Sequence, residues 1–121
     1  MYKKAETTQI IGTWRSYKRV FNNQVKHDDD SNWKEWIFEE GGKAHFLLCK
    51  DNKTITDFID RYWTLEEKQE GDAMIQFLTI TPAGSKNKIV SIEKEDMVLQ
   101  NDDGLFTHFT SIMKWHELIK N

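Results

Sequence analysis

Apolar residues alternate with polar ones along most of the chain, and this period of two predicts β-strands. Short polar clusters interrupt the alternation at intervals of about eight to twelve residues, the spacing typical of antiparallel barrels and sandwiches. The pattern predicts eight strands, which cover Ile10–Val20, Trp33–Phe38, Ala44–Cys49, Ile55–Leu65, Met74–Ile80, Lys88–Glu93, Met97–Gln100 and Leu105–Trp115.

The segments between the predicted strands carry turn chemistry. Asn101–Gly104 gives the strongest hairpin signal, because an Asp-Gly pair tolerates the positive φ that tight turns require. A longer polar loop is predicted from Asn22 to Asn32, between the first two strands. Helix is limited to a single turn just before Gly12 and a short terminal turn from Trp115 to Lys120.

Eight consecutive hairpin-linked strands leave two open sheet edges unless the sheet closes on itself. The first and last predicted strands are among the longest, and both are rich in aromatic residues, so we expect them to pair. The sequence therefore predicts an all-β fold, an eight-stranded antiparallel up-and-down β-barrel with a short N-terminal helical turn. We expect residues 1–121 to form this single domain.

Several predicted strands carry large apolar residues on both faces, as where Trp36 and Phe38 oppose Trp33 and Ile37. Likewise, strict alternation puts Trp63 opposite Phe58. We expect one set to fill the barrel and the other to cover its outside, which leaves a protein partner or a homodimer open.

Composition and charge exclude several classes of protein. The chain has five tryptophans, three tyrosines and seven phenylalanines. Its net charge of -3 argues against nucleic-acid binding, because phosphate groups require a basic surface. No apolar run approaches the roughly 18 residues of a transmembrane helix, so no membrane span is predicted. The N-terminus has no apolar signal region, and we expect a cytoplasmic protein, or a periplasmic or cell-envelope protein if a leader was removed.

Charge is divided into two blocks near the N-terminus. Residues 1–27 hold six basic side chains and one acidic one, whereas residues 28–40 hold one basic and six acidic. We expect these blocks to pair across neighbouring strands, and an electrostatic patch for a protein partner is the alternative.

Candidate chemistry is sparse. The four histidines lack metal-ligand spacing, and the acidic run Asp28–Asp30 lacks the glycine and distal glutamate of a calcium loop. No nucleophile elbow, P-loop or dinucleotide fingerprint occurs, and the lone Cys49 is expected to serve packing. The sequence thus predicts no catalytic residue, no metal and no cofactor.

Polar residues inside long strands are candidates for the barrel interior. An unpaired buried arginine is costly, so Arg61 needs a carboxylate partner or an anionic ligand, and we expect an Asp57–Arg61 salt bridge rather than an anion site. The full set of polar candidates is Ser16, Arg61, Gln76, His108 and Thr110.

Gly12-Thr13-Trp14, after the predicted helical turn, resembles the opening Gly-x-Trp motif of lipocalins and of the small bacterial lipocalin-like proteins of the calycin superfamily. Trp36–Ala44, Tyr62–Leu65 and Ser91–Leu99 are similar to later segments of those domains, in the same order. The resemblance implies an eight-stranded up-and-down barrel and the binding of a small ligand.

The sequence therefore predicts a non-enzymatic binding protein that takes a small, partly hydrophobic ligand into the barrel interior. One alternative is a protein-interaction module, such as a bacterial inhibitor or immunity protein, with a filled barrel and an outer binding surface. A second alternative is a haem-binding barrel with His45 or His108 pointing inward. The predicted ligand-lining residues are Trp14, Trp36, Phe46, Trp63, Leu99 and Phe109.

Overall fold

The computed structural model describes residues 5–28, 32–50, 54–82 and 85–112. Within these ranges the chain forms one short helix and nine β-strands. The elements are α1 (Thr7–Ile10), β1 (Gly12–Phe21), β2 (Gln24–His27), β3 (Trp33–Phe38), β4 (Lys43–Lys50), β5 (Thr54–Glu70), β6 (Ala73–Thr81), β7 (Ser85–Glu93), β8 (Asp96–Gln100) and β9 (Phe106–Ser111).

The sheet closes into an eight-stranded antiparallel barrel because β1 pairs with β9, as predicted. The pairing runs from Trp14 opposite Ser111 to Val20 opposite Phe106. On its other side, the first half of β1 pairs with β3. The second half pairs with β2, which lies outside the ring as an extra strand. The predicted fold class is therefore confirmed.

The prediction of a loop from Asn22 to Asn32 is wrong in part, because Gln24–His27 within it forms the strand β2. Asn22 and Asn23 both have positive φ, at 50° and 64°, which is the backbone of a two-residue type I′ hairpin turn. Asparagine tolerates this left-handed region better than most residues. The predicted terminal turn from Trp115 to Lys120 lies outside the described residues.

A β-bulge interrupts the simple alternation along β5. The register between β4 and β5 shifts between Ala44 and Phe46, and Asp60 opposite this shift has a φ of 60°. An extra residue reverses which side chains face inward. Phe58 and Trp63 consequently both pack on the core, which corrects the prediction that they lie on opposite faces.

The inner face of the barrel holds one hydrophobic core. We call the end that carries α1 the α1 end, and the opposite end, where β1 turns into β2, the β2 end. At the α1 end, the fully buried Ile10 lies beneath Trp14, whose indole Nε1 donates a hydrogen bond to the Ile10 carbonyl at 2.8 Å. Gly12, with a φ of 138°, lets the chain turn from α1 into β1.

Two inward polar groups at the α1 end, the Gln76 amide and the Trp63 indole N–H, are neutral and pair with backbone. Gln76 Oε1 accepts a hydrogen bond from the Ala5 N–H at 2.9 Å, and its Nε2 donates to the Ala5 carbonyl at 2.8 Å. Trp63 Nε1 donates to the Glu39 carbonyl at 3.0 Å. These bonds attach the segment before α1 and the β3–β4 turn to the barrel wall.

Candidate ligand site inside the barrel

The six predicted lining residues all lie in, or packed against, the hydrophobic core of the barrel. Trp14 and Trp63 are buried at the α1 end, where their indole nitrogens bond to backbone. Leu99 is also buried, on β8. The structure therefore brings the set together, and contact with a ligand stays a prediction for each member.

The other three predicted residues, Trp36, Phe46 and Phe109, form what we call the aromatic layer. The Trp36 ring centroid lies 4.8 Å from that of Phe109 and 5.1 Å from that of Phe46. Phe46 and Phe109 are buried, whereas Trp36 is only partly buried. Trp36 is thus the member of the layer that keeps some accessible surface.

A group of polar side chains lies next to the aromatic layer, toward the β2 end. We call Ser16, Arg19, Asp28 and Lys34 the charged cluster. Ser16 aligns with Phe109 across β1 and β9, and Lys34 lies two residues before Trp36 on the same face of β3. The charged cluster therefore sits one step along the barrel from the aromatic layer.

A bulge in β1 places Arg19 in this cluster. The register between β1 and β9 shifts between Ser16 and Lys18, so that Arg19 aligns with the buried Thr107. Regular alternation from Trp14 and Ser16 would have turned Lys18 inward instead. The extra residue turns Lys18 outward and Arg19 toward the interior.

Asp28 connects the members of the charged cluster. Ser16 Oγ donates a hydrogen bond to Asp28 Oδ2 and accepts one from the Lys34 backbone N–H at 2.9 Å. Arg19 Nε lies 3.2 Å from Asp28 Oδ1. The Asp28 side chain is 3% exposed and that of Arg19 is 25% exposed, so the carboxylate is enclosed and the arginine side chain keeps some accessible surface.

The charged cluster has more positive than negative charge among the described residues, since Arg19 and Lys34 share the single carboxylate of Asp28. Burial lowers the pKa of Lys34 below its ordinary value of 10.5. The neighbouring Arg19 charge lowers this pKa further, and Asp28 partly opposes both effects. The positive charge on Lys34 is therefore poorly compensated in the barrel.

The other polar residues expected inside divide between the two faces. Ser16 and Gln76 are buried among the core strands, as expected. His108 was expected inside, and this is wrong, because it stacks edge-on against Tyr17 at 6.0 Å between ring centroids. Thr110 is fully buried, but on the other face of the wall, where it donates to the Glu95 carbonyl at 3.2 Å. Both follow the phase opposite to the inward Phe109.

The predicted Asp57–Arg61 salt bridge is also wrong. Asp57 aligns with Leu47 and pairs with His45 Nε2 on the outer face of the barrel. Arg61 aligns with the inward Ala44, beyond the bulge at Asp60, and lies 5.3 Å over the Phe58 ring. The bulge therefore separates the two charges onto opposite faces.

Neither histidine that the haem alternative needs points into the barrel. His45 pairs with the outer Asp57, and His108 lies beside Tyr17 on the outside. In the described part of the chain, no three His, Cys, Asp or Glu side chains are grouped so as to hold a metal ion.

The charge blocks seen in the sequence do pair across strands. On the outer face, Arg15 lies 3.7 Å from Glu35 and its guanidinium sits 3.7 Å over the Trp33 ring. On the inner face, Arg19 meets Asp28. Cross-strand complementarity is confirmed at both places, and one of the two pairs lies inside the barrel.

Comparison with known proteins gives no relative from which a function could be inferred. No family model, no curated protein and no solved structure matches the chain. The described residues include no helix with the length and apolar character needed to cross a membrane.

Proposed function

We propose that this barrel is a non-enzymatic binding protein that takes a small, partly hydrophobic ligand into its interior from the β2 end. The observation that carries the proposal is the position of the charged cluster directly beside the aromatic layer. Ligand sites combine apolar walls with a few placed polar groups, and this is the combination present here.

The charged cluster is costly to the stability of the barrel. Removing charges from water costs several kcal/mol per ion, and well-packed apolar residues of similar size are often at least as stabilising. Among the described residues, the inner face at the α1 end is packed with apolar side chains such as Trp14 and Phe38. A buried cluster with incomplete pairing therefore favours a binding role over a purely structural one.

The proposal assigns no chemical step to the cluster. Ser16 Oγ donates to Asp28 and accepts from the Lys34 backbone, so its hydroxyl acts as a bridge between β1, β3 and the segment after β2. The lipocalin-like assignment belongs to this same proposal, since it rests on the Gly12–Trp14 motif and on barrel architecture.

Tryptophan fluorescence tests the proposal, because Trp36 lies in the aromatic layer and Trp33 lies on the outer face. We expect saturable quenching by at least one member of a panel of medium-chain alcohols, fatty acids, retinoids and haem. W36F should remove most of the quenching, and the matched control W33F should retain it. Absence of saturable change with the whole panel would contradict the proposed function.

A protein-interaction role is the second candidate, and the β1–β2 hairpin is the observation that favours it. Phe21 is 46% exposed and Val25 is 54% exposed on this hairpin, which is unusual for large apolar side chains. V25D should then abolish capture of a protein partner while leaving small-ligand titrations unchanged. Loss of fluorescence quenching in V25D would instead assign the hairpin to the ligand site.

A further inference from the structure

Building on the proposed function, we propose that the ligand carries a monoanionic oxyanion group, a carboxylate or a sulfate ester, and that Arg19 and Lys34 bind this group beside the aromatic layer. The apolar part of the ligand then lies against Trp36, on its accessible surface. The inference names the chemical class of the ligand, which the proposed function leaves open.

The geometry of Arg19 supports this assignment. Its described contacts direct Nε to Asp28 Oδ1 at 3.2 Å and one terminal nitrogen to Oδ2 at 3.4 Å. A guanidinium has five N–H donors in a rigid fork. Here the terminal nitrogen donates to Oδ2, whereas the buried Nε lies close to Oδ1 without forming a hydrogen bond. The side chain keeps one quarter of its surface accessible, and the donors that Asp28 does not occupy are those that the proposed acid group would use.

Lys34 provides the second cation from the neighbouring barrel strand. Its backbone N–H is fixed to Ser16 Oγ at 2.9 Å, which places the residue beside Asp28 rather than at the rim. Lys34 also precedes the aromatic layer on the inner face of β3, two residues before Trp36. A ligand that spans this interval meets a cation at one end and aromatic rings at the other.

The net charge of the charged cluster indicates how many negative charges the ligand carries. Asp28 neutralises one of the two cations, and one positive charge is left among the described residues. A single negative charge completes the balance, whereas a cationic ligand would add to the repulsion. Burial and the Arg19 charge already lower the pKa of Lys34, and a bound anion would relieve that strain.

Four amphiphiles with the same octyl tail isolate the effect of the head group: octanoate, octyl sulfate, octanol and octyltrimethylammonium. We expect calorimetric titration to give Kd values for the two anions at least about tenfold lower than for octanol, as for a hydrogen bond to a charged group. The trimethylammonium compound should bind more weakly than octanol. The order of the two anions identifies which acid group the cations fit better.

Variants of the charged cluster separate binding from folding. K34M and R19M should each weaken octanoate binding about tenfold or more and leave octanol binding unchanged. The matched control K18M changes the outward neighbour of Arg19 and should leave both affinities unchanged. D28N removes the competing carboxylate, so we expect tighter octanoate binding, the opposite of what a purely structural cluster would give.

The outcomes distinguish the inference from the function on which it rests. If octanol binds as tightly as octanoate, or if K34M and R19M leave octanoate affinity unchanged, the anion assignment is overturned and the binding role stands. If all four amphiphiles fail to bind, the proposed function fails and the anion assignment fails with it. Octanol binding by each variant shows that the variant is folded.

Discussion

The two ends of the barrel bury polar groups in opposite ways. At the α1 end the inward polar groups of Gln76 and Trp63 are neutral, and both pair with backbone. At the β2 end they are charged, and Arg19, Asp28 and Lys34 face one another with an excess of positive charge. Neutral paired groups add to the stability of the fold, whereas a partly compensated charge reduces it.

This difference indicates how the barrel divides its tasks. The α1 end buries Trp14 and Phe38 in the hydrophobic core. The β2 end gives up some of that burial to hold charges inside the wall. Substitutions at the two ends should consequently change the free energy of unfolding in opposite directions.

The largest expected effect is at the α1 end. Phe38 is 1% exposed, and its ring lies 5.6 Å from that of Trp63 and 6.1 Å from that of Phe46. F38A should lower the free energy of unfolding by about 3–5 kcal/mol in urea titrations, since it leaves a cavity. The control F21A, at an exposed site, should change it by less than about 0.5 kcal/mol. If F38A and F21A lowered the free energy of unfolding equally, the buried Phe38 would contribute no more to stability than the exposed Phe21.

A smaller loss is expected from the neutral pairing at the α1 end. Q76L removes both hydrogen bonds to Ala5 and leaves that buried backbone unpaired, so the free energy of unfolding should fall by about 1–3 kcal/mol. Q24L, on the exposed strand β2, serves as the control and should be near neutral. A Q76L protein as stable as the parent would show that the Ala5 anchor is dispensable.

At the β2 end, by contrast, a substitution should increase the free energy of unfolding. K34M should raise the free energy of unfolding by about 1 kcal/mol at neutral pH, because it removes a buried and poorly compensated charge. K18M, at the outward neighbour of Arg19, should change stability by less than about 0.5 kcal/mol. Marked destabilisation by K34M would mean that the lysine holds the barrel together.

The advantage of K34M should also depend on pH. The pKa of Lys34 is lowered in the folded protein by burial and by Arg19, so the unfolded chain binds more protons between that lowered pKa and 10.5. The parent therefore gains stability relative to K34M as the pH rises through this window. Urea titrations of both proteins across alkaline pH should show the difference in their free energies of unfolding becoming smaller. A difference that stays constant with pH would contradict the lowered pKa.

The smallest effect concerns the outer face. Burial, and then the Lys18 charge, lower the pKa of His108 from its ordinary value of 6.5. Between that lowered pKa and 6.5 the unfolded chain binds more protons than the folded one. His108 therefore reduces the free energy of unfolding as the pH falls through this range. K18M should raise the His108 pKa in an NMR titration, and K86M, at a lysine on β7, should leave it unchanged.

The ring of strands was predictable from the sequence because each strand buries one face, and burial imposes the period of two. The extra strand β2 was not, since all four of its residues are exposed and leave no apolar phase to detect. The bulge at Asp60 was missed, because the change of apolar phase between Phe58 and Trp63 was interpreted as large residues on both faces of a regular strand.

The candidate site was predictable in its apolar half. Large aromatics in phase along three strands placed Trp36, Phe46 and Phe109 on one inner face, where they meet. The charged half was missed, because Arg19 turns inward only through the β1 bulge and Asp28 belongs to an acidic run that reads as a solvated loop. The opposed charge blocks were the one available signal, and they indicated pairing without indicating the face.

The pairing of β1 with β9 also sets the order in which this chain acquires its structure. Neighbouring hairpins form from local contacts, whereas Val20 meets Phe106 only after most of the chain has been gathered. Until then two strand edges are open and the inner aromatics face water, which makes the half-assembled ring prone to aggregation. Refolding yield should therefore depend on protein concentration, and dilution should favour the closed ring over intermolecular strand exchange.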